Sequence, residues 1–222
     1  MKLKTILITV FILFGLYYFI DNENIFKSYP IKSISILGNA HYSNQNYLKT
    51  YLNTFIGKNL FEVNLRELKS KIESDPWIKN ATVKRQMPDN LIITFIEFTP
   101  LLSWNKNYYI DTKGVLFSTE NILIKDIPHI ESDKANHLYM YNLYLSINNQ
   151  FNQSELSIIR IELKGDILKI ITPDLNFTVR HSMHKVKLSE FLDVYDQFKK
   201  VYNGRKKPIG IDLRYPTGFS AH

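Results

Sequence analysis

The sequence has no cysteine among its 222 residues. This absence excludes disulfide-stapled scaffolds, thiolate zinc sites, iron–sulfur clusters and a cysteine nucleophile. Glycine and proline are also sparse, with eight of each, while apolar residues make up 45% and charged residues 22%. These proportions are those of ordinary globular proteins and exclude collagen-like, low-complexity and disordered chains. The length allows one or two domains of roughly 100–200 residues each.

Catalytic signatures are missing as well. The sequence contains no G-x-S-x-G, H-E-x-x-H, P-loop or G-x-G-x-x-G pattern. His181 and His184 could share a metal ion on a helix, but no third ligand group is near, and surface histidines are the better interpretation. Asp111 lies three residues before Gly114, in a segment whose residues favour a turn, and we interpret it as a turn former. We therefore expect a protein that is not an enzyme and needs no cofactor or metal.

The charge balance is modestly basic, with 28 Lys and Arg against 21 Asp and Glu. An excess of this size is usually a solvated surface. The basic run at residues 205–207 lacks interleaved aromatic residues and falls in a predicted loop. We interpret it as a solvated turn and expect no nucleic-acid partner.

The amino-terminal segment over residues 5–20 is apolar and uncharged. As a helix it would span roughly 24 Å, against roughly 30 Å for the core of a bilayer. No small-residue cleavage site follows it, so the pattern favours an uncleaved transmembrane anchor over a signal peptide or a buried helix. Lys2 and Lys4 precede the segment, and acidic residues follow it. By the positive-inside rule, residues 1–4 form a short cytoplasmic tail and the rest lies outside the cytoplasm.

A polar spacer at residues 21–30 leads into a compact unit over 31–99. Ile34 and Ile36 alternate with polar neighbours, which predicts a first strand. Two helices follow, capped by Ser43 and Asn64, and two strands are predicted over the remaining residues. The order β-α-α-β-β predicts a three-stranded sheet with both helices on one face, and Trp77 should be largely buried where the second helix returns to that sheet.

Residues 100–222 show mostly strand signals, which predict a largely antiparallel sheet with one wet face. Helices are predicted over 134–149 and 187–202. Their expected core-facing residues are Leu138, Tyr141 and Leu145 in the first helix, and Leu188, Phe191, Leu192 and Tyr195 in the second.

The last predicted strand, over residues 209–215, ends in an unusual way. Pro216 removes a ladder donor, and residues 217–221 lack the charged side chains that usually protect a sheet edge. Two interpretations remain open. The terminal strand pairs inside its own sheet, or the edge is held open so that a strand of a partner can add to it.

An ordered set of motifs resembles the FtsQ/DivIB family of bacterial cell-division proteins. Each piece is weak alone, but the set is specific and extends over residues 31–222 behind the apolar segment. The matching pieces are residues 57–63, 76–85, Pro88, 91–97, Pro100, Trp104, 111–117 and 211–219.

The resemblance implies an α+β chain with a POTRA domain at residues 31–99 and a β-domain at 100–222. It implies a non-enzymatic divisome scaffold, a single-pass type II protein of the bacterial inner membrane whose soluble part is periplasmic and gathers at the septum. The β-domain would recruit the small coiled-coil proteins FtsB and FtsL, and the POTRA domain would contact proteins such as FtsK. Carried over by position, the partner edge comprises Arg214, Tyr215, Thr217, Gly218 and Phe219.

Two other classes of protein fit the sequence less well than this scaffold. A POTRA-type secretion or outer-membrane assembly factor usually has several POTRA repeats or a long barrel with strands of about ten residues. The sequence has one such module followed by about 120 residues, which argues against that class. A membrane-tethered hydrolase would need the nucleophile or metal constellations that the sequence lacks.

Overall fold

The computed structural model describes residues 8–15, 17, 29–38, 40–119, 124–202 and 208–222. The described part of the predicted anchor, residues 8–15 and 17, is helical. No helix among the described residues has both the length and the apolar character needed to cross a bilayer. The rest of the predicted anchor, most of the spacer and the basic run at 205–207 lie outside the described residues. The chain divides into two compact units, residues 1–98 and 99–222.

The first unit has the predicted β-α-α-β-β order. Its elements are β1 (Ser33–Leu37), α1 (Gln45–Asn53), α2 (Leu65–Glu73), β2 (Ile78–Gln86) and β3 (Asn90–Glu97). In the sheet of the described residues, β3 lies between β1 and β2. It pairs parallel with β1 and antiparallel with β2. The parallel pair follows because two helices carry the chain across between β1 and the β2–β3 hairpin.

The two helices of this unit begin at asparagine caps. Asn64 starts α2, and its side-chain oxygen accepts hydrogen bonds from the backbone nitrogens of Arg66 and Glu67, which confirms the prediction. For α1 the predicted cap was wrong by one residue, because Asn44 rather than Ser43 accepts the bond from the Tyr47 nitrogen. Leucine and isoleucine side chains of both helices then pack on the inner face of β3. The central buried residues are Leu48, Leu52, Leu68, Ile72, Leu91, Ile93 and Phe95.

The second unit is built on a larger sheet. Its strands are β4 (Pro100–Trp104), β5 (Tyr108–Asp111), β6 (Leu116–Ser118), β7 (His129–Ser132), β8 (Arg160–Lys164), β9 (Ile167–Ile171), β10 (Asn176–Arg180), β11 (Gly210–Asp212) and β12 (Ser220–Ala221). Its helices are α3 (His137–Asn152) and α4 (His184–Val201), the latter preceded by a 3₁₀ turn at His181–Met183. The described strands lie in the order β12-β11-β10-β9-β8-β7-β4-β5-β6.

Most pairings in this sheet are antiparallel, as predicted, but β4 with β7, β7 with β8 and β10 with β11 are parallel. Two of these parallel pairs have a helical crossover, since α3 connects β7 to β8 and α4 connects β10 to β11. The short strand β7 was not predicted from the sequence.

The buried face of α3 differs from the predicted one. Leu138 and Leu145, expected in the core, are 51% and 40% exposed, and only Tyr141 of the three expected residues is partly buried against the core. The core face instead carries Met140, Leu143, Tyr144, Ile147 and Phe151. The prediction was wrong because α3 has apolar residues along two stripes, and periodicity alone cannot choose between them. In α4 the prediction was right, with Leu188, Phe191 and Tyr195 buried and Leu192 partly buried.

The two candidate chemical sites, Asp111 and the pair His181 and His184, have structural roles. Asp111 accepts hydrogen bonds from the backbone nitrogens of Lys113 and Val115 at 2.9 and 2.8 Å, which makes it a turn former as predicted. The histidine pair differs from expectation, because His184 is buried rather than on the surface. Its Nδ1 donates to the backbone oxygen of His181, and the two imidazoles stack.

Candidate functional site, the terminal edge of the large sheet

The candidate site is the end of the second unit, where the chain reverses from β11 to β12. Strand β11 runs parallel to β10, with Ile211 opposite Phe177. The chain then turns through residues 213–219 and returns antiparallel along β11, with Ala221 opposite Ile211. The terminal strand therefore pairs inside its own sheet. Because β12 is the last strand in the order, it also becomes the outer edge of that sheet.

The hydrogen bonds of β12 determine which backbone groups face outward. Gly210 and His222 exchange both of their backbone hydrogen bonds, each at 3.0 Å. In an antiparallel ladder, hydrogen-bonded pairs alternate with pairs whose N–H and C=O groups point away from each other. The backbone groups of Ala221 thus point away from β11, in the orientation that an added strand would need.

Arg214 stands at the start of the turn and binds Asp212 through its backbone and its guanidinium group. Its Nη2 lies 2.6 Å from Oδ2 of Asp212, and its Nε lies 2.9 Å from Oδ1. The hydrogen bonds from this side chain hold the pKa of Asp212 below its ordinary value. Arg214 has five N–H donors and is about half exposed. It can therefore stay bonded to Asp212 and still present N–H donors to an acidic group of another molecule.

The middle of the turn is held by Lys187 of α4. Its Nζ donates to the backbone oxygen of Pro216 and to Oε2 of Glu190, each at 2.8 Å. The side chain of Lys187 is only 5% exposed, whereas that of Glu190 is 55% exposed. The sequence did not predict this contact. Lys187 lies where an amphipathic helix is expected to begin in solvent, and no local pattern pairs it with a carbonyl 29 residues away.

The end of the turn rests on aromatic side chains of α4. The ring of Phe219 meets that of Phe191 edge-on, with centroids 5.0 Å apart, and lies 6.2 Å from that of Phe198. Phe219 is nevertheless 39% exposed, and Tyr215 is 51% exposed. The two predicted aromatic residues thus differ, since Phe219 packs beneath the edge and Tyr215 projects from the turn.

Gly218 supplies the backbone conformation that closes the turn. Its φ is +71°, a left-handed value that favours glycine. A Cβ atom built on it would meet no atom within 4 Å, so the space beside Gly218 is open. The five predicted site residues therefore lie together in one exposed turn, beside the outward-facing groups of Ala221. Whether they bind a partner stays a prediction.

The chain is similar to known proteins both in its first domain and along most of its length. The POTRA domain of the FtsQ type matches residues 29–97. The cell division protein FtsQ of Haemophilus influenzae is 25% identical over 96% of this chain and 85% of its own length. FtsQ of Alcanivorax borkumensis is 24% identical over 86% of this chain and 75% of its own length. The chain thus carries a POTRA domain of the FtsQ type and is similar to FtsQ proteins over most of its length.

This similarity links the chain to bacterial cell division proteins. FtsQ of Blochmanniella floridana, 26% identical over 88% of the chain and 76% of its own length, extends the similarity to a third organism. In each case the match continues well beyond the POTRA domain into the second unit. That unit, which carries the candidate edge, is therefore part of what the FtsQ proteins share.

Proposed function

We propose that this chain is a non-enzymatic divisome scaffold that captures small coiled-coil proteins of the FtsB and FtsL type by strand addition at β12. One observation supports this most directly. The outward-facing backbone groups of Ala221 lie next to the exposed turn at 214–219. In strand addition, main-chain hydrogen bonds supply affinity and the neighbouring side chains supply specificity.

The side chains of the turn fit these two roles. Tyr215 offers an exposed aromatic surface, and Phe219 offers a ring already seated on α4. Arg214 offers unused donors to a carboxylate of the partner, since Asp212 occupies one side of its guanidinium group. An extended segment with an apolar residue and an acidic residue is the partner chemistry that this edge suits.

The proposal includes a membrane topology. Residues 5–20 would anchor the chain in the inner membrane as a single-pass type II protein, with residues 21–222 on the periplasmic side at the division septum. A reporter active only in the periplasm, fused after His222, should be active, and a tagged copy should form a band at midcell. A mature protein that begins near Asp21 would contradict the anchor, and a uniform rim of label would contradict the septal role.

The POTRA domain would add a second contact, with proteins of the FtsK type. The alternative of a secretion or outer-membrane assembly factor is weaker. The matched domain model covers one POTRA module, at residues 29–97, and the similarity to FtsQ proteins extends beyond it.

Substitution of Gly218 tests the edge. Gly218→Trp places a large side chain in the open space beside the turn and should abolish recovery of the FtsB-like partner from membranes, as should deletion from Thr217 onward. Gly165→Trp is the matched control. Gly165 also has a left-handed φ, of +58°, and open space around it, but it lies in the turn between β8 and β9.

The two tryptophan variants carry similar backbone strain, so they separate strain from a blocked site. We expect Gly165→Trp to recover the coiled-coil partners as the unaltered protein does. Gly218→Asn, which tolerates a left-handed φ and adds little bulk, should also recover them. Undiminished recovery with Gly218→Trp would place the partner site elsewhere on the β-domain.

A further inference from the structure

We propose that Lys187 is a positioning residue for partner recognition, which holds the turn at 214–219 in its binding shape without touching the partner. This inference rests on the proposed function, because it assigns a role within the same edge. The hydrogen bond from Lys187 Nζ to the backbone oxygen of Pro216 carries it.

The burial of Lys187 is the first reason. Lysine is almost never fully buried unless it is paired, because its ammonium group is strongly hydrated. Here the side chain is 5% exposed, although Glu190, its ion-pair partner on the same helix, is 55% exposed. The ion pair alone would not require burial, since a solvated lysine can pair with a residue three positions away. The buried position instead brings Nζ to the Pro216 carbonyl.

The position of Pro216 within the turn is the second reason. The turn is held at its start by the Arg214–Asp212 pair and at its end by the Phe219 ring on Phe191. Between these points the Lys187 bond fixes the backbone of Pro216 on α4. A turn fixed at three places is ordered before a partner arrives, so binding does not have to order it.

Direct contact between Lys187 and a partner is not needed for this role. With 5% of its side chain exposed, Lys187 offers almost no surface to a second protein. Its charge is also met by Glu190 at 2.8 Å, which reduces any attraction of an acidic partner from a distance. An effect of Lys187 on capture would therefore pass through the shape of the turn.

Substitution of Lys187 in the full chain tests the inference. Lys187→Met keeps the length and the apolar stem but removes the donor, and Lys187→Arg keeps a donor. For Lys187→Met we expect faster hydrogen exchange at the amides of 217–222, unchanged exchange in the β8–β9 hairpin, and capture of the FtsB-like partner reduced roughly ten- to a hundredfold. Lys187→Arg should restore most of the capture.

Two further measurements separate this role from others. Glu190→Gln removes the charge of the ion-pair partner but leaves the Pro216 carbonyl bound, so capture should stay within about twofold of the unaltered protein. The residual capture by Lys187→Met should keep the salt dependence of the unaltered protein, because no contact with the partner is lost. If Lys187→Met does not fold, Lys187→Gln provides the same comparison with a neutral donor that is too short.

The outcomes distinguish failure of this inference from failure of the proposed function. If Gly218→Trp abolishes capture but Lys187→Met captures normally, the edge binds the partner and the role of Lys187 is wrong. If neither variant affects capture, partner binding at this edge is itself wrong, whatever the exchange data show. Loss of capture by Lys187→Met with uniformly faster exchange throughout the second unit would mean general destabilisation and would also overturn the inference.

Discussion

The ring of Tyr42 lies flat against the indole of Trp77, with ring centroids 4.3 Å apart and planes 15° apart. Trp77 is 3% exposed and lies directly before β2, in the segment that connects it to α2. The stack joins the loop after β1 to the start of the β2–β3 hairpin. Burial of Trp77, expected from the sequence, is thereby confirmed, and the residue that covers it is Tyr42.

Replacement of this indole should destabilise the POTRA domain strongly. Trp77→Ala removes the largest side chain of the junction and should lower the free energy of unfolding by about 3–5 kcal/mol, out of about 5–15 kcal/mol for a typical domain. Urea unfolding of the full chain, followed by circular dichroism, measures this loss. Ile96→Ala, at a residue 63% exposed on β3, is the control and should change little. Unchanged unfolding of Trp77→Ala would contradict its place in the core.

The carboxylate of Glu97 gives the POTRA domain a pH dependence. It accepts hydrogen bonds from three successive backbone nitrogens, those of His41, Tyr42 and Ser43, at 2.8, 3.0 and 2.8 Å. Burial disfavours its charge, but the hydrogen bonds from Ser43, His41 and Tyr42 together outweigh burial and lower the pKa of Glu97 below its ordinary 4.5. The stabilisation is therefore present above pH 4.5 and is lost as the pH falls through the lower, folded-state value.

Glu97→Gln should test this dependence. At neutral pH the variant should be less stable than the unaltered protein, and the difference should shrink as the pH falls below 4.5 and through the lowered pKa of folded Glu97. The chain has two tryptophans, one in each unit, so fluorescence in a Trp104→Phe background reports on the POTRA domain through Trp77. A stability difference that is constant from neutral to acidic pH would contradict a lowered pKa at Glu97.

Arg85 should be irreplaceable by lysine for a geometric reason. Its Nε donates to the Leu60 carbonyl at 2.7 Å and its Nη2 to the Val63 carbonyl at 2.8 Å, which ties the loop before α2 to β2. A lysine has one nitrogen and cannot span both carbonyls in this planar arrangement. We expect Arg85→Lys to cost about 1–2 kcal/mol of POTRA stability by Trp77 fluorescence. Lys84→Arg, at the exposed neighbour, should be neutral, and a neutral Arg85→Lys would show that the positive charge alone matters.

The two stripes of α3 should respond differently to truncation. Ile147→Ala empties a fully buried position and should cost about 2–5 kcal/mol. Leu145→Ala trims an exposed side chain and should stay within about 0.5 kcal/mol. Trp104 lies in the same core, so its fluorescence follows unfolding of the second unit. A large loss for Leu145→Ala would mean that the stripe carrying Leu138 and Leu145 is covered in the protein.

Charge reversal at Arg214 should weaken partner capture in a salt-dependent manner. Arg214→Glu leaves Asp212 without its partner and places a second carboxylate beside it, where an acidic partner residue would approach. The difference from the unaltered protein should shrink as salt is added, because an exposed ion pair is screened over about 10 Å at 0.1 M. Arg180→Glu is the control, since Arg180 is similarly exposed and also pairs with an aspartate, Asp166. If both reversals weakened capture equally, the cause would be the change in the net charge of the protein and not a contact at Arg214.

The sequence predicted elements well where local signals and the fold agree. The order β-α-α-β-β and the cap at Asn64 follow from periodicity and capping chemistry, which act over a few residues. The face of α3 and the strand β7 could not be predicted in this way. The choice between two apolar stripes is made by the sheet against which α3 packs, and a strand as short as His129–Ser132 carries too few alternations to be recognised.

The candidate site, too, could be predicted only in part from the sequence. Resemblance to a family located the turn at 214–219, and the uncharged run after Pro216 pointed to an edge. The contacts that shape this turn come from α4 through Lys187 and Phe191, which lie more than 20 residues earlier. Such contacts depend on how the chain folds back on itself, so no local pattern in the sequence could have revealed them.

The hydrogen bond between Glu73 and Ala81 makes the β2 edge of the POTRA sheet less open to an added strand than the β12 edge of the large sheet. Strand β2 is an edge of the POTRA sheet, and the outward N–H of Ala81 already donates to Oε1 of Glu73 at 2.8 Å. An extended chain arriving there must first expel a carboxylate, which makes that stretch of edge resistant to unwanted pairing between molecules. At β12 the outward groups belong to Ala221, whose methyl side chain cannot compete for them. Competition for backbone hydrogen bonds would thus direct an incoming strand away from Ala81 before any of its side chains is recognised.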